Sequence, residues 1–181
     1  DISKLKKLDV DYLFLPEQEL IYPDGLEVTH YADKDLANAL CGLNRPGHFD
    51  GVCTVVYKLF DLVKPKYAVF GEKDFQQLKI IQDLVVRENL DIEIISAPIL
   101  REEDGLAMSS RNLYLDPDER QKAAKLNQVL KAIVENRKSI DEAKKEILEL
   151  GFELDYLEEK WGRVFLAAKL GQTRLIDNMA L

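Results

Sequence analysis

The stretch YAVFGEKDFQQ, residues 67–77, decides how this chain folds. An apolar run ends at Gly71, charged and amide side chains follow it, and an amphipathic helix then begins. Open α/β sheets bind their ligands at such transitions from strand to helix. A further strand at 92–97 follows, so the order strand, helix, strand predicts a parallel sheet joined by right-handed crossovers.

The N-terminal part of the chain extends this α/β pattern. The apolar run 11–15 predicts a buried strand, and 26–31 predicts a second, short strand. A glycine-rich loop, 42–51, leads into an apolar helical face over 52–63. We expect these segments to form one Rossmann-like nucleotide-binding domain, residues 1–98.

A different pattern follows Pro98, where a polar loop spans 101–112. Asp116 and Ser139 each precede a helical pattern and have an acidic residue three positions later, as in a helix N-cap. We therefore expect a second, small α+β domain, residues 99–181. Its predicted helices are 117–136 and 139–151, and its predicted strands are 152–158, 163–170 and 173–177.

Composition excludes several classes of protein. Hydrophobic residues at 46% and charged residues at 32% are ordinary for a globular chain. The net charge of -8 argues against a nucleic-acid surface, which needs clustered Lys and Arg. No apolar run approaches the roughly 20 residues of a membrane helix, and no signal peptide is visible. We expect a cytoplasmic protein without nucleic-acid or membrane partners.

The same count of residue types argues against a metal site built by the protein. Cys41 and Cys53 do not have the spacing of metal ligands, and the chain has only 2 histidines. Both cysteines are interpreted as packed thiols.

The residues that follow the run 67–70 suit a phosphate ligand. Gly71 would let a ligand approach the backbone closely, and the N-terminus of the next helix favours anions. Lys73 adds a positive charge, and Asp74 could accept hydrogen bonds from ribose hydroxyls. The alternative is structural, since glycine often ends a strand and charged residues often begin a helix.

Two further loops carry candidate ligand contacts. In Ser109, Ser110 and Arg111, two hydroxyls and a guanidinium suit a polyphosphate, and their place at a domain boundary would let them act as a mobile clamp. The alternative is an ordinary loop with serine caps. Arg45 and His48 could contact a substrate or could only shape the turn before a helix.

Four segments, in order, resemble the pantoate–β-alanine ligase family, the pantothenate synthetases. They are RPGHF with GV (45–52), FGEKDFQQL (70–78), DGLAMSSRN with YL (104–115) and GR, LG and TRLIDN (162–178). The resemblance runs along nearly the whole chain. It implies an α/β fold: a Rossmann-like nucleotidyltransferase domain with a parallel sheet, incomplete here at its N-terminus, and a small α+β C-terminal domain that closes over the site.

The resemblance also implies an ATP-dependent, AMP-forming ligase of pantothenate biosynthesis. In the family's reaction the pantoate carboxylate attacks the α-phosphate of ATP, with Mg²⁺ assisting, and gives pantoyl adenylate and pyrophosphate. The amine of β-alanine then attacks the acyl carbon and releases AMP. We expect ATP, pantoate and β-alanine as small-molecule partners, Mg²⁺ carried by the nucleotide phosphates, and a homodimer.

The resemblance assigns a role to each matching residue. ATP would be bound by Gly71, Glu72, Lys73, Asp74, Leu100, Met108, Ser109, Ser110 and Arg111. The catalytic members would be Lys73, Ser109, Ser110 and Arg111, which would hold the phosphates and stabilise charge on the leaving pyrophosphate. Pantoate would be bound by Gln77, Arg45 and His48. The segment 108–111 is similar to the KMSKS signature of class I aminoacyl-tRNA synthetases.

One part of the family pattern has no counterpart in the sequence. The family begins with a His-x-Gly-His motif followed by a pantoate-binding glutamine, and neither is found. We therefore expect an incomplete piece of a longer enzyme, with a second gap against the family near Glu158 and Glu159. Two alternatives stay open: another adenylyltransferase of the same fold, and a non-catalytic nucleotide-binding fragment.

Overall fold

Two sheets, one parallel and one antiparallel, organise the computed structural model, which describes residues 2–181. Helices α1 to α8 are Ile2–Lys7, Gln18–Ile21, Lys34–Ala37, His48–Val63, Phe75–Arg87, Pro117–Ala123, Lys125–Val134 and Ile140–Glu149. Strands β1 to β5 are Tyr67–Gly71, Glu93–Ala97, Glu153–Lys160, Arg163–Leu170 and Thr173–Ala180. Short 3-10 helices are Leu40–Gly42, Glu72–Asp74 and Ser110–Tyr114. The predicted α/β class is confirmed.

The parallel sheet consists of β1 and β2, paired in register from Tyr67 with Glu93 to Gly71 with Ala97. Helices α4 and α5 pack on it, because Phe60 of α4 and Ile81 of α5 share an apolar cluster with side chains of both strands. The turn after β1 therefore lies at the carboxyl end of the sheet and leads directly into α5, as the sequence predicts.

The strands predicted at 11–15 and 26–31 are wrong, since both segments lie outside regular structure. Tyr12 is 92% exposed, and Leu15 and Leu26 are exposed as well. A strand needs a neighbour to bond its backbone groups, and within residues 2–181 the parallel sheet contains β1 and β2 alone. An apolar run indicates the tendency to form a strand, but it does not supply the partner.

The antiparallel sheet has the order β3-β4-β5, and helices α7 and α8 pack on it. The N-caps at Asp116 and Ser139 are confirmed, each with the reciprocal hydrogen bonds of a capping box. The predicted helix 117–136 is divided into α6 and α7, but Ala124 between them keeps helical dihedral angles, so the two helices follow each other directly. The buried core of this region is formed mainly by Leu126, Leu130, Ile147, Val164 and Leu166.

The hairpin between β3 and β4 is tight. Its strands pair as far as Lys160 and Arg163, and the two residues between them, Trp161 and Gly162, have φ of +50° and +70°. Strand β3 runs without interruption through the position where the sequence suggested a gap against the family.

An apolar cluster joins the two sheet regions. Ala39 and Leu40 from the N-terminal region pack with Phe165 of β4, and Phe75 and Trp161 contact them. The division at residues 98 and 99 stays a prediction. No helix in the described residues 2–181 is long and apolar enough to cross a membrane.

Candidate functional site

The turn after β1 places charged side chains at the carboxyl end of the parallel sheet. Gly71 is extended, with φ -77° and ψ 138°, and a Cβ there would meet no atom within 4 Å. The 3-10 turn Glu72–Asp74 follows, and α5 begins at Phe75. Gly71 thus borders open space, as an approaching ligand requires.

A cleft of about 70 Å³ lies beside this turn. It is lined by the chain around the start of α4, the turn with the start of α5 and the loop after β2, and also by side chains of β4 and β5. Six residues predicted for the site from sequence line this cleft together: Arg45, His48, Lys73, Asp74, Gln77 and Arg111. The other lining residues are Cys41, Phe49, Phe75, Gln76, Phe165, Arg174 and Ile176.

The cleft is positively charged although the chain as a whole carries a net charge of -8. Arg45, Lys73 and Arg111 line it, together with the carboxylate of Asp74. Arg174 also lines it and pairs with Asp155 at 2.6 Å. A concave surface with this excess of cations raises the local concentration of anions. The cleft therefore suits a ligand with phosphate or carboxylate groups.

His48 stands at the first position of α4, after Gly47, whose φ of +75° turns the chain into the helix. Burial lowers the pKa of His48 below its ordinary value of 6.5, the guanidinium of Arg45 lowers it further, and Asp74 opposes them. The imidazole is therefore neutral at pH 7, so it can both donate and accept a hydrogen bond.

The loop after β2 is folded back on itself. Arg101 and Ala107 form an antiparallel bridge, and the backbone N–H of Met108 donates to the carbonyl of Leu100 at 2.9 Å. Ser109 then caps the next 3-10 helix, its hydroxyl accepting from the backbone N–H of Arg111 at 3.2 Å. Ser109 and Lys73 line one small cavity next to the cleft. The two loops thus face a common space.

A model of the pantoate-beta-alanine ligase family matches residues 1–180. The chain belongs to this family. Pantothenate synthetase of Pseudothermotoga lettingae is 45% identical over 203 residues, covering 100% of the chain and 72% of the relative. That of Bdellovibrio bacteriovorus is 46% identical over 181 residues, covering 100% and 70%.

Solved structures of the family share this fold. One is the pantoate-beta-alanine ligase of Francisella tularensis, complexed with beta-gamma ATP and beta-alanine, with a TM-score of 0.89 and 38% sequence identity. The match covers 99% of the present chain and 68% of the Francisella tularensis chain. Pantothenate synthetase of Thermus thermophilus has a TM-score of 0.87 and 38% identity, covering 99% and 73%. The recognition of the family and of its fold from sequence is confirmed.

Five residues assigned to ATP through the resemblance to the ligase family line neither the cleft nor the small cavity next to it. Glu72 lies 3.4 Å from Arg163, and Leu100 and Met108 have exposed side chains. Their assignment to ATP stays a prediction. The residues concerned are Gly71, Glu72, Leu100, Met108 and Ser110.

A larger cavity, of about 460 Å³, lies beside the loop before α4 and shares Arg45 and Phe49 with the cleft. It is lined by Lys34 and Asp50 but by no residue of the β1 turn or of the loop after β2. The smaller cleft is therefore the better candidate, because the sequence motifs of the ligase family meet there.

The structure adds a buried glutamine to the site. Gln76 donates from Nε2 to the carbonyls of Leu36 (2.8 Å) and Ala39 (2.7 Å), and its Oε1 accepts from the backbone N–H of Cys41 at 3.2 Å. It thereby ties the start of α5 to the segment that leads to Arg45. The sequence motif contains this amide, but nothing in the sequence shows its distant partners.

The two cysteines differ in their surroundings. Cys53 is fully buried, and burial raises its pKa to about 11, so it behaves as the packed thiol predicted from sequence. Cys41 lines the cleft, with its Sγ 3.0 Å from the hydroxyl of Tyr156 and 3.6 Å from the Arg174 guanidinium. Burial also raises the pKa of Tyr156, so that hydroxyl stays protonated.

Proposed function

We propose that the cleft binds ATP and pantoate in the reaction of the pantoate–β-alanine ligase family, the ATP-dependent condensation of pantoate with β-alanine. The observation that carries the proposal is that Arg45, His48, Gln77, Lys73 and Arg111, from three segments of the chain, line one cleft. The first three belong to the motifs assigned to pantoate, and the last two belong to those assigned to ATP.

The chemistry explains why the cleft is cationic. A carboxylate oxygen of pantoate attacks the α-phosphorus of ATP, the bond to the β-phosphate oxygen breaks, and pyrophosphate leaves. An anion must approach another anion in this step, so positioning and positive charge lower the barrier most. Lys73 from the turn after β1 and Arg111 from the loop after β2 supply that charge. The amine of β-alanine then displaces AMP from the acyl carbon and loses a proton.

The pantoate side of the cleft combines three kinds of polar group. Arg45 can bind a carboxylate with two parallel hydrogen bonds. Gln77 offers an amide to the hydroxyl groups, and the neutral imidazole of His48 can donate or accept beside it. This set distinguishes a hydroxy acid from a plain fatty acid, because a fatty acid would cover these polar groups and leave them without hydrogen-bond partners.

Mg²⁺ enters this proposal with the nucleotide. Among the described residues, no group of three or more His, Cys, Asp or Glu side chains is arranged to hold a metal ion. The resemblance to the ligase family is what assigns the ion to the phosphates of ATP. A cytoplasmic location and a homodimer complete the proposal, both following from the family resemblance.

Pantoate-dependent exchange between ATP and labelled pyrophosphate tests the proposal. We expect exchange that requires pantoate. Exchange with a different acid would instead support another adenylyltransferase, and ATP binding without exchange would support a nucleotide-binding protein without catalysis. A calorimetric titration with a non-hydrolysable ATP analogue distinguishes the last outcome from a protein that binds no nucleotide.

Lys73→Ala and Arg111→Ala should each lower the exchange rate by about a hundredfold or more, because each removes a cation from the developing charge. Neither side chain belongs to an apolar core, so the melting temperature should change little. Lys125→Ala is the matched control, since the Lys125 ammonium group bonds the exposed Gln128 at 3.4 Å, away from the cleft. Full exchange activity in Lys73→Ala would contradict the proposed role.

A further inference from the structure

The end of β5 contacts both loops of the candidate site. Asp177 and Asn178 are adjacent there and are only 5% and 1% exposed. Successive side chains of a strand point to opposite faces, so these two reach different neighbours. Asp177 contacts the loop after β2, and Asn178 contacts the turn after β1. The reaction described above uses neither of them.

Asn178 holds the backbone of the turn after β1. Its Nδ2 donates to the carbonyl of Glu72 at 3.0 Å and to that of Lys73 at 3.1 Å. A peptide unit is planar, and its N–H points away from its C=O. Fixing these two carbonyls therefore fixes the N–H groups of Lys73 and Asp74 and the path of the chain that carries the Lys73 ammonium group.

The remaining atom of this amide is also used. Its Oδ1 accepts from Nε of Arg163 at 2.6 Å, and Arg163 stacks over the ring of Phe75 at 4.6 Å. Phe75 is the first residue of α5. Asn178 thus bonds the turn after β1 directly and, through Arg163, reaches the first residue of α5.

Asp177 holds the second loop through Arg101. Its carboxylate accepts two hydrogen bonds from the Arg101 guanidinium, at 2.7 and 2.9 Å, and Arg101 also donates to the carbonyl of Gly105 at 3.0 Å. Such a bidentate pair fixes direction as well as distance. Arg101 and Ala107 close the turn that leads to Met108. Asp177 therefore secures the base of the loop that presents Ser109 and Arg111.

The two contacts are connected to each other. The backbone N–H of Asn178 donates to Oδ1 of Asp177 at 2.8 Å, and Arg101 also donates to the Asn178 carbonyl at 3.3 Å. We propose that Asp177 and Asn178 are positioning residues that hold the turn Glu72–Asp74 and the loop carrying Ser109 and Arg111 in a fixed relation. What these loops bind rests on the proposed function; the hold itself is a property of the ligand-free chain.

Amide hydrogen exchange of the ligand-free chain tests directly whether Asp177 and Asn178 restrain the two loops. Asn178→Asp keeps the shape and the Oδ1 acceptor but has no N–H to donate, so amides in 71–75 should exchange about tenfold faster. Asp177→Asn keeps the shape but not the charge, and should have the same effect in 104–112. Glu146→Gln, which alters the ion pair with Lys138, is the control and should change neither segment.

The kinetic test separates positioning from a merely structural role. In Asn178→Asp the KM for ATP should rise about tenfold, while that for pantoate stays close to its original value, because one half of the ATP site is displaced. A structural role would instead lower the active fraction and leave both KM values unchanged. Asp177→Glu, which keeps the carboxylate, should restore part of the activity lost in Asp177→Asn.

These experiments also distinguish this inference from the proposed function. A wild-type chain that neither binds ATP nor catalyses ATP–pyrophosphate exchange would overturn the proposed function. Amide hydrogen exchange would still show whether Asp177 and Asn178 fix the two loops. The inference would be overturned by a folded Asn178→Asp variant whose amides in 71–75 exchange hydrogen at the wild-type rate. If Asn178→Asp does not fold, Asn178→Ser serves in its place, because a hydroxyl has one hydrogen and cannot donate to both carbonyls.

Discussion

His48 shows how burial and charge act together on one side chain of the cleft. Burial disfavours its charged form, and the neighbouring Arg45 disfavours it further, so the pKa lies below 6.5. A neutral imidazole does not repel the guanidinium of Arg45. The side chain is therefore available to a hydroxyl of the ligand at neutral pH.

The lowered pKa predicts how stability depends on pH. Since the unfolded chain binds a proton at His48 more readily, the free energy of unfolding should fall as the pH drops below 6.5. Well above that pH, His48 is neutral in both the folded and the unfolded state, so it contributes no dependence of stability on pH. His48→Gln should flatten this part of the curve in urea unfolding on the acid side of neutrality. Identical slopes in both proteins would contradict the lowered pKa.

At the scale of elements, Gly105 limits the loop after β2. Its φ is +91°, where a side chain is strained, and a Cβ there would lie 2.5 Å from Oδ1 of Asn127, a buried residue of α7. The loop is therefore packed against the helix that lies on the antiparallel sheet. Its position depends on this close approach as well as on Asp177.

Gly105→Ala should lower the free energy of unfolding by about 2–3 kcal/mol, because strain and a steric clash combine. Gly151→Ala is the matched control, since Gly151 has φ +89° but open space around a Cβ, so that only the strain of about 1 kcal/mol applies. Urea unfolding measures both. Equal losses in the two variants would show that the Asn127 side chain moves away from the added Cβ with no loss of free energy of unfolding.

At the scale of the whole molecule, the cleft lies between two sheet regions that an apolar cluster holds together. Phe165 of β4 is at its centre, in contact with Leu40 and with the rings of Phe75 and Trp161. The cations from the loop before α4 and from the loop after β2 therefore stay close enough to act on one ligand. The cluster contributes to function by keeping the two regions in place.

Phe165→Ala should lower the free energy of unfolding by about 3–5 kcal/mol, because it leaves a cavity in this cluster. The two regions should then unfold at different denaturant concentrations. Hydrogen exchange of amides in α5 and in α7, measured at increasing denaturant, reports the unfolding of each region. Phe60→Ala is the control: an equally large deletion within the N-terminal core, which leaves the cluster intact. Coincident transitions in Phe165→Ala would show that other contacts couple the regions.

Much of this protein follows from local sequence. The capping residues Asp116 and Ser139 determine where helices begin because their side chains bond backbone groups only three positions away. The transition at Gly71 likewise determines that a charged turn follows β1. Three motifs of the ligase family placed six residues at a common cleft, because a parallel strand presents its carboxyl end to the neighbouring loops.

Only the tertiary structure decided the rest. The apolar run 11–15 does not form a strand, since strand formation needs a partner that a local pattern cannot supply. Gln76, Arg174 and the pair Asp177 and Asn178 bond with residues that lie far away in sequence; about a hundred positions separate Asn178 from Lys73. The contacts of Asn178 depend on how β5 packs against the turn after β1, and those of Gln76 depend on how α5 packs against the segment before α4. The physical cause is tertiary packing, which no local pattern contains.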